Sequence, residues 1–125
     1  MCDAAAPQAV IALAKQLPDR FSEFVSYVFE RQAEFNAAAG DALSQGALKE
    51  VFCSMAESFG ADRARFAEDI SSEDVMLSVK ESQRLGILHG VWSTPTYIIN
   101  GTEVPSLGSS TTPEQWATYL GTLLA

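Results

Sequence analysis

The chain has 125 residues, 47% of them hydrophobic and 19% charged, which predicts one globular domain with an ordinary core rather than a disordered chain. Its formal net charge of −8 argues against binding to nucleic acid or to an anionic membrane surface, because both carry negative charge. The N-terminal stretch lacks the basic start and the unbroken apolar run of a signal peptide, so we expect a soluble protein of the cytoplasm or another intracellular compartment.

Two helices are predicted in the first third of the chain. Pro7 fits the first turn of a helix that ends near Gln16. Asp19 is then predicted to cap a second, longer helix, whose apolar positions recur at helical spacing as far as Phe35. A connection rich in small residues, 37–46, ends this pattern.

Three more helices are predicted before position 90. The third begins near Ser44 and stops at Gly60, with one apolar stripe along it. Asp62 should cap a short fourth helix, and the polar run 71–74 should cap a fifth. That fifth helix is expected to end by Gly90.

The pattern then changes from helical to extended. Tyr97, Ile98 and Ile99 favour a strand, and Asn100-Gly101 is the strongest two-residue hairpin signal. The same Asn begins an N-glycosylation sequon, which we interpret as a turn because no signal peptide precedes it.

A last helix is predicted after the hairpin. Thr112 can cap it, with Pro113 at its first position. Its apolar face is formed by Trp116, Tyr119, Leu120 and Leu123. Taken together, the elements predict a mostly helical α+β fold with a helical bundle, one β-hairpin and a C-terminal helix.

The cysteines and the single histidine indicate neither a disulfide framework nor a metal centre. Cys2 and Cys53 are far apart, the sequence contains no CxxC, and no cluster has zinc-ligand spacing. Cys53 lies in the apolar stripe of the third helix, which favours a small buried hydrophobe over a redox-active thiol. His89, at a predicted helix end, fits a cation that complements the helix dipole better than a catalytic group. We predict no cofactor and no metal.

The stretch from Gly90 to Gly101, GVWSTPTYIING, resembles the G-V-x-G-T-P-T-F-F-I-N-G signature of the DsbA-like branch of the thioredoxin superfamily. In that family the proline is cis and opens a hairpin strand, a C-terminal helix follows, and a helical insertion precedes. The resemblance therefore implies one domain, 1–125, with residues 1–90 similar to the insertion and residues 91–125 forming the cis-proline hairpin and the last helix. Ser93 stands where the family usually has Gly.

The family's first strand, its CxxC helix and its second strand have no counterpart in the sequence, so the resemblance implies an incomplete thioredoxin-like fold. In the family the residue before the cis-proline pairs its backbone with a substrate peptide, which implies a peptide-binding loop at Ser93, Thr94 and Pro95. Trp92 and Tyr97 flank this loop, and they fit either a peptide-contacting surface or the core.

The absence of the CxxC favours a protein without thiol-disulfide oxidoreductase activity whose remaining role is to bind a peptide or protein. Two enzyme alternatives stay open. The chain is a fragment or short form of an active oxidoreductase, or it is a relative of the glutathione-using transferases and isomerases that share this fold. Because a lone hairpin is marginally stable, we also expect that its edge can pair with a second copy and give a homodimer.

Overall fold

The computed structural model describes residues 5–35 and 44–125, and these residues are mostly helical, as the sequence predicts. A single antiparallel sheet of two strands is present in the described part of the chain. Two short 3₁₀ turns, Pro18–Arg20 and Gln32–Glu34, flank the second helix. The elements in chain order are α1 (Ala5–Gln16), α2 (Phe21–Glu30), α3 (Gln45–Ser58), α4 (Arg63–Asp69), α5 (Glu73–Leu88), β1 (Ile98–Ile99), β2 (Thr102–Glu103) and α6 (Pro113–Leu124).

The chain forms two compact units, Met1–Arg84 and Leu85–Ala125. We call the first the helical unit and the second the hairpin unit. The boundary between them falls inside α5.

The helical unit has a continuous apolar core because α1, α2, α3 and α4 each turn apolar side chains inward. Helix α1 contacts α2, α3 and α4, and α3 also contacts α4. Burial of each large apolar side chain contributes about 1.5–3 kcal/mol. The buried residues of this core are Ala9, Ala12, Leu13, Phe24, Val28, Phe52, Cys53, Met55, Ala56, Ala61, Phe66 and Ile70.

Polar side chains and one glycine define the ends of α3, α4 and α5, as predicted. Ser44 and Asp62 cap the N-termini of α3 and α4 by accepting backbone N–H bonds from the third residue of each helix. The hydroxyl of Ser72 accepts a bond from the backbone N–H of Val75 at the start of α5. Helix α3 ends at Gly60, whose φ of 89° is the left-handed conformation that glycine adopts without steric cost.

The prediction for the second helix is wrong at both ends. Asp19 lies inside the 3₁₀ turn that Pro18 opens, and α2 begins after it at Phe21 without a side-chain cap. At the other end α2 stops at Glu30, and Phe35 follows the second 3₁₀ turn. Phe35 fits the apolar spacing of the sequence although it lies beyond the helix. Its ring packs against that of Phe52, with the ring centroids 5.0 Å apart.

The predicted small-residue connection, 37–46, is only partly testable. Positions 37–43 lie outside the described residues. Gly46 lies in the first turn of α3, so the helix begins before the end of the predicted connection. Ser44, two positions before Gly46, caps the helix through its hydroxyl. This cap stabilises the helix start by more than one glycine in the first turn destabilises it.

In the hairpin unit, turns and caps define the elements. Gly90, with φ of 77°, ends α5, and the backbone N–H of Val91 donates to the carbonyl of Gly86 across this turn. The hairpin turns at Asn100-Gly101, whose φ values of 51° and 80° are those of the predicted tight turn. Ile98 pairs with Glu103, and Ile99 with Thr102.

Helix α6 begins with a complete capping box, which confirms the predicted cap at Thr112. The Thr112 hydroxyl accepts a bond from the backbone N–H of Gln115, and the Gln115 side chain accepts one from the backbone N–H of Thr112. Pro113 occupies the first helical turn, where it costs no hydrogen bond.

Candidate functional site

The candidate site is the loop from Trp92 to Tyr97, which joins the end of α5 to the first hairpin strand. The turn at Gly90 redirects the chain out of the helix. The Thr96 hydroxyl donates a hydrogen bond to the carbonyl of Ser93, which holds the loop in a tight bend. The peptide bond between Thr94 and Pro95 is cis.

The centre of this loop is exposed, and part of its backbone is unpaired. Ser93, Thr94 and Pro95 are all exposed. Neither the N–H nor the carbonyl of Thr94 makes a hydrogen bond to any residue within 5–35 or 44–125. The backbone pairing resumes at Tyr97, whose carbonyl accepts a bond of 2.9 Å from the N–H of Val104. The loop therefore offers an unpaired donor and acceptor immediately before a paired strand.

The two aromatic residues that flank the loop lie in different environments. The Trp92 side chain is 83% exposed and takes no part in a core. Tyr97 is half-buried, and its ring meets the ring of Trp116 edge-to-face, with the centroids 4.7 Å apart and the planes at 79°. Trp92 is thus available for contact, whereas Tyr97 anchors the loop to α6. The sequence could not separate the two because Trp116 is remote along the chain.

Cys53 is part of the helical core. Its residue is 1% exposed, and it forms no disulfide with any described residue. Burial raises the pKa of its thiol, which disfavours the thiolate that redox chemistry needs. This is the environment that its helical register predicts. Cys2 lies outside the described residues.

The loop carries no side chain suited to acid-base chemistry. No charged residue occurs between His89 and Glu103, and His89 is itself exposed at the end of α5. Across residues 5–35 and 44–125 no group of three His, Cys, Asp or Glu residues is arranged to hold a metal ion. None of the helices described is both long enough and apolar enough to cross a membrane.

The helical unit has a shallow cleft of about 480 Å³ between α2 and α3, which the sequence did not reveal. Tyr27 and Met55 form part of its wall. The guanidinium of Arg31 lies 4.8 Å from the Tyr27 ring centroid and 3.0 Å from the carboxylate of Glu34. Arg31 and Glu34 pair with one another, and Glu50, the third charged residue of the lining, pairs with Arg63 at 2.6 Å, so the lining offers no unpaired charge for a ligand.

One comparison with known proteins gives a match. The family described as thioredoxin matches residues 3–121, which is nearly the whole chain. No curated protein and no solved structure matches the sequence.

Proposed function

Because the chain belongs to the thioredoxin family, we propose that it is a DsbA-like member whose loop, Trp92 to Tyr97, binds an extended polypeptide. The branch is inferred from the motif GVWSTPTYIING and from the hairpin and capped helix that follow it. The position of this loop, directly before the extended strand β1, supports the proposal.

The observation that carries the proposal is the unpaired backbone of Thr94, an exposed residue. An extended peptide can satisfy both its N–H and its carbonyl, in the way that a strand adds to a sheet edge. Such recognition reads the peptide backbone and is therefore tolerant of peptide sequence. The exposed ring of Trp92 adds apolar contact area beside this backbone.

We further propose that the 125-residue chain binds without thiol-disulfide exchange. Exchange needs an accessible thiolate and a second thiol that resolves the mixed disulfide. The sequence has no CxxC, and Cys53 is buried with a raised pKa. The function proposed is therefore polypeptide binding rather than oxidation or reduction.

Binding can be measured by fluorescence anisotropy with a labelled small protein that has been reduced and capped with iodoacetamide, so that it stays unfolded and cannot form disulfides. We expect saturable binding that Trp92→Ala weakens about tenfold, the loss of one good aromatic contact. Phe29→Ala is the matched control, because Phe29 is an aromatic residue of the helical unit that is 63% exposed. Equal binding by both variants and the unmodified chain, or no saturable binding, contradicts the proposed site.

The absence of redox activity is tested separately by insulin reduction with dithiothreitol. We expect turnover at the background rate for the unmodified chain. Turnover that is lost in Cys53→Ser would make Cys53 catalytic and the protein an oxidoreductase. Titration with glutathione up to millimolar concentration should release no heat, and a saturable signal would favour the glutathione-using relatives instead.

A further inference from the structure

The hairpin turn joins an exposed asparagine directly to a glycine. Asn100 and Gly101 are both exposed, and their φ values of 51° and 80° place both in the left-handed region. Neither the Asn100 side chain nor the Gly101 N–H makes a hydrogen bond to any residue within 5–35 or 44–125. Apart from its chain neighbours, no described atom lies within 4 Å of the point where a Gly101 side chain would begin. The side-chain amide and the backbone nitrogen are therefore both free and unshielded.

These two groups can react with one another, with water as the only co-reactant. Once the Gly101 N–H has lost its proton to solvent, its nitrogen attacks the side-chain carbonyl carbon of Asn100. A bond forms between these atoms, the bond from that carbon to the side-chain nitrogen breaks, and ammonia leaves after taking up a proton from water. Glycine favours this step because it has no side chain to obstruct its nitrogen.

The product of this step is a cyclic imide, which water opens at either of its carbonyl carbons. Opening at the side-chain carbon gives aspartate, and opening at the main-chain carbon gives isoaspartate. In isoaspartate the main chain passes through the former side chain and is one methylene longer. Both products replace a neutral amide with a carboxylate.

The folded hairpin opposes ring closure only weakly. Ring closure requires the Asn100 backbone to rotate out of the turn conformation, which the paired residues of β1 and β2 hold. Each strand has two residues, and the buried side chains of the hairpin unit, all of which the structure describes, are Val104 and Leu107. A short hairpin with little buried area opens at a small cost in free energy. The turn is therefore open often enough to react.

We propose that Asn100 is a site of spontaneous deamidation and that opening of the hairpin sets its rate. Isoaspartate lengthens a turn whose length fixes the register of the strands. The pairing of Ile99 with Thr102 adjoins the turn, and the bond from the Val104 N–H to the Tyr97 carbonyl lies at the other end of the ladder. The added methylene breaks this ladder, because so few pairs cannot hold the register against it.

The same change reaches the loop from Trp92 to Tyr97. Tyr97 is the residue at which the loop joins the paired backbone. Loss of the ladder removes that attachment and leaves the contact of the Tyr97 ring with Trp116 to hold the loop. Deamidation of Asn100 thus weakens polypeptide binding at the loop. This last step rests on the function proposed above, whereas the modification itself does not.

Mass spectrometry of the full chain after incubation at mildly alkaline pH tests the modification, with chromatography to separate aspartate from isoaspartate peptides. In the urea-denatured chain we expect Asn100 to react at least about tenfold faster than Asn36, because the methyl group of Ala37 obstructs the attack. In the native chain we expect Asn100 to react more slowly than in urea, but by no more than about a hundredfold. Greater protection, no protection, or equal rates for the two asparagines in urea overturns the proposal.

The variant Asn100→Asp separates the added methylene from the added charge, because it carries the carboxylate without lengthening the chain. Hydrogen exchange of the Val104 amide reports the ladder in both forms. We expect this exchange to be at least about tenfold faster in the purified isoaspartate form than in Asn100→Asp. Equal exchange would show that the ladder survives and would contradict the predicted break.

Binding of the capped, unfolded protein then tests the link to the loop. We expect the isoaspartate form to bind about tenfold more weakly than Asn100→Asp. Equal binding, when exchange at Val104 is already faster, contradicts that link. If the unmodified chain does not bind at all, the proposed function fails, while mass spectrometry and hydrogen exchange still decide the reaction at Asn100.

Discussion

The helical unit and the hairpin unit both contain local sequence signals that define helix ends, but they differ in how many residues they bury. Both contain side-chain helix caps and a helix that ends at a left-handed glycine, Gly60 in one and Gly90 in the other. Among the described residues of the helical unit fourteen hydrophobic residues are buried, twelve of them in one core. The hairpin unit adds two, Val104 and Leu107. Capping and turn formation define elements, whereas burial supplies most of the free energy of folding.

Charge separates the units in the same way. In the helical unit, Lys15 of α1 lies 3.0 Å from Asp69 of α4 and 3.1 Å from Asp74 of α5. Hydrogen bonding to Asp69 is the main cause of the raised pKa of Lys15. Among the described residues the hairpin unit takes part in no ion pair of this kind, since it contains no Lys or Arg. Its surface is left to apolar and backbone contacts, which suits it to binding.

The largest expected effect is the protection of Cys53 from alkylation. In a Cys2→Ser background we expect iodoacetamide to label native Cys53 at least on the order of a thousandfold more slowly than the denatured chain, because labelling requires the core to open. Mass spectrometry over time measures the rate. Leu77→Cys, in a background with both Cys2→Ser and Cys53→Ser, is the exposed control. If the labelling rate of Cys53 in the native chain were within tenfold of the control's rate, a rigid core would be contradicted.

Truncation of one large side chain in each unit sharpens the comparison. Phe52→Ala removes a fully buried ring from α3 and should lower the free energy of unfolding by about 3–5 kcal/mol. Leu120→Ala removes an exposed side chain and should change it by less than about 1 kcal/mol at concentrations where the chain is monomeric. Urea unfolding followed by circular dichroism measures both. Equal losses would mean that the units share their stability.

Removal of a helix cap tests the same contrast at smaller scale. Asp62→Ala should lower the free energy of unfolding by about 1 kcal/mol, because α4 packs into the core and its cap is lost only on global unfolding. Thr112→Ala removes a cap from a helix with no buried residue. Its effect should appear as faster amide exchange in the first turn of α6, with the urea midpoint nearly unchanged. A large shift of that midpoint would disprove the distinction.

The smallest effect is a pH dependence of α6. The pKa of Glu114 is lowered, first by a hydrogen bond from its own backbone N–H and then by one from the Thr112 hydroxyl. A lowered pKa in the folded state contributes stability above the unfolded value of 4.5, and that contribution is lost as the pH falls through the folded value. The helicity of α6 should therefore decline as the pH falls from 4.5 through the lowered pKa of Glu114. Glu114→Gln should flatten the decline, and an unchanged profile would contradict the assignment.

The sequence predicts those features that a few neighbouring residues decide. Asp62 and Thr112 act as the predicted caps, and α3 begins beside Ser44 as predicted, because a helix start depends on only a few neighbouring residues. The hairpin turn at Asn100-Gly101 is correct for the same reason. Asp19 was mistaken for a cap because Pro18 starts a 3₁₀ turn that competes with a direct helix start.

Features that depend on distant partners could not be predicted. Trp92 and Tyr97 are both aromatic and both beside Pro95, yet Trp92 is exposed and Tyr97 lies against Trp116. The unpaired state of the Thr94 backbone likewise follows from the three-dimensional course of the loop. The motif predicted the position of the candidate site, and the structure adds which groups this loop offers.

Hydrogen exchange with and without the capped, unfolded protein tests the central claim most directly, because it follows the backbone groups that the proposal assigns to binding. We predict that ligand slows exchange of the amides from Trp92 to Tyr97. Exchange in the helical unit, including the cleft beside Tyr27, should be unchanged. Protection that appears at that cleft instead, or no protection at the loop under saturating ligand, would contradict the account.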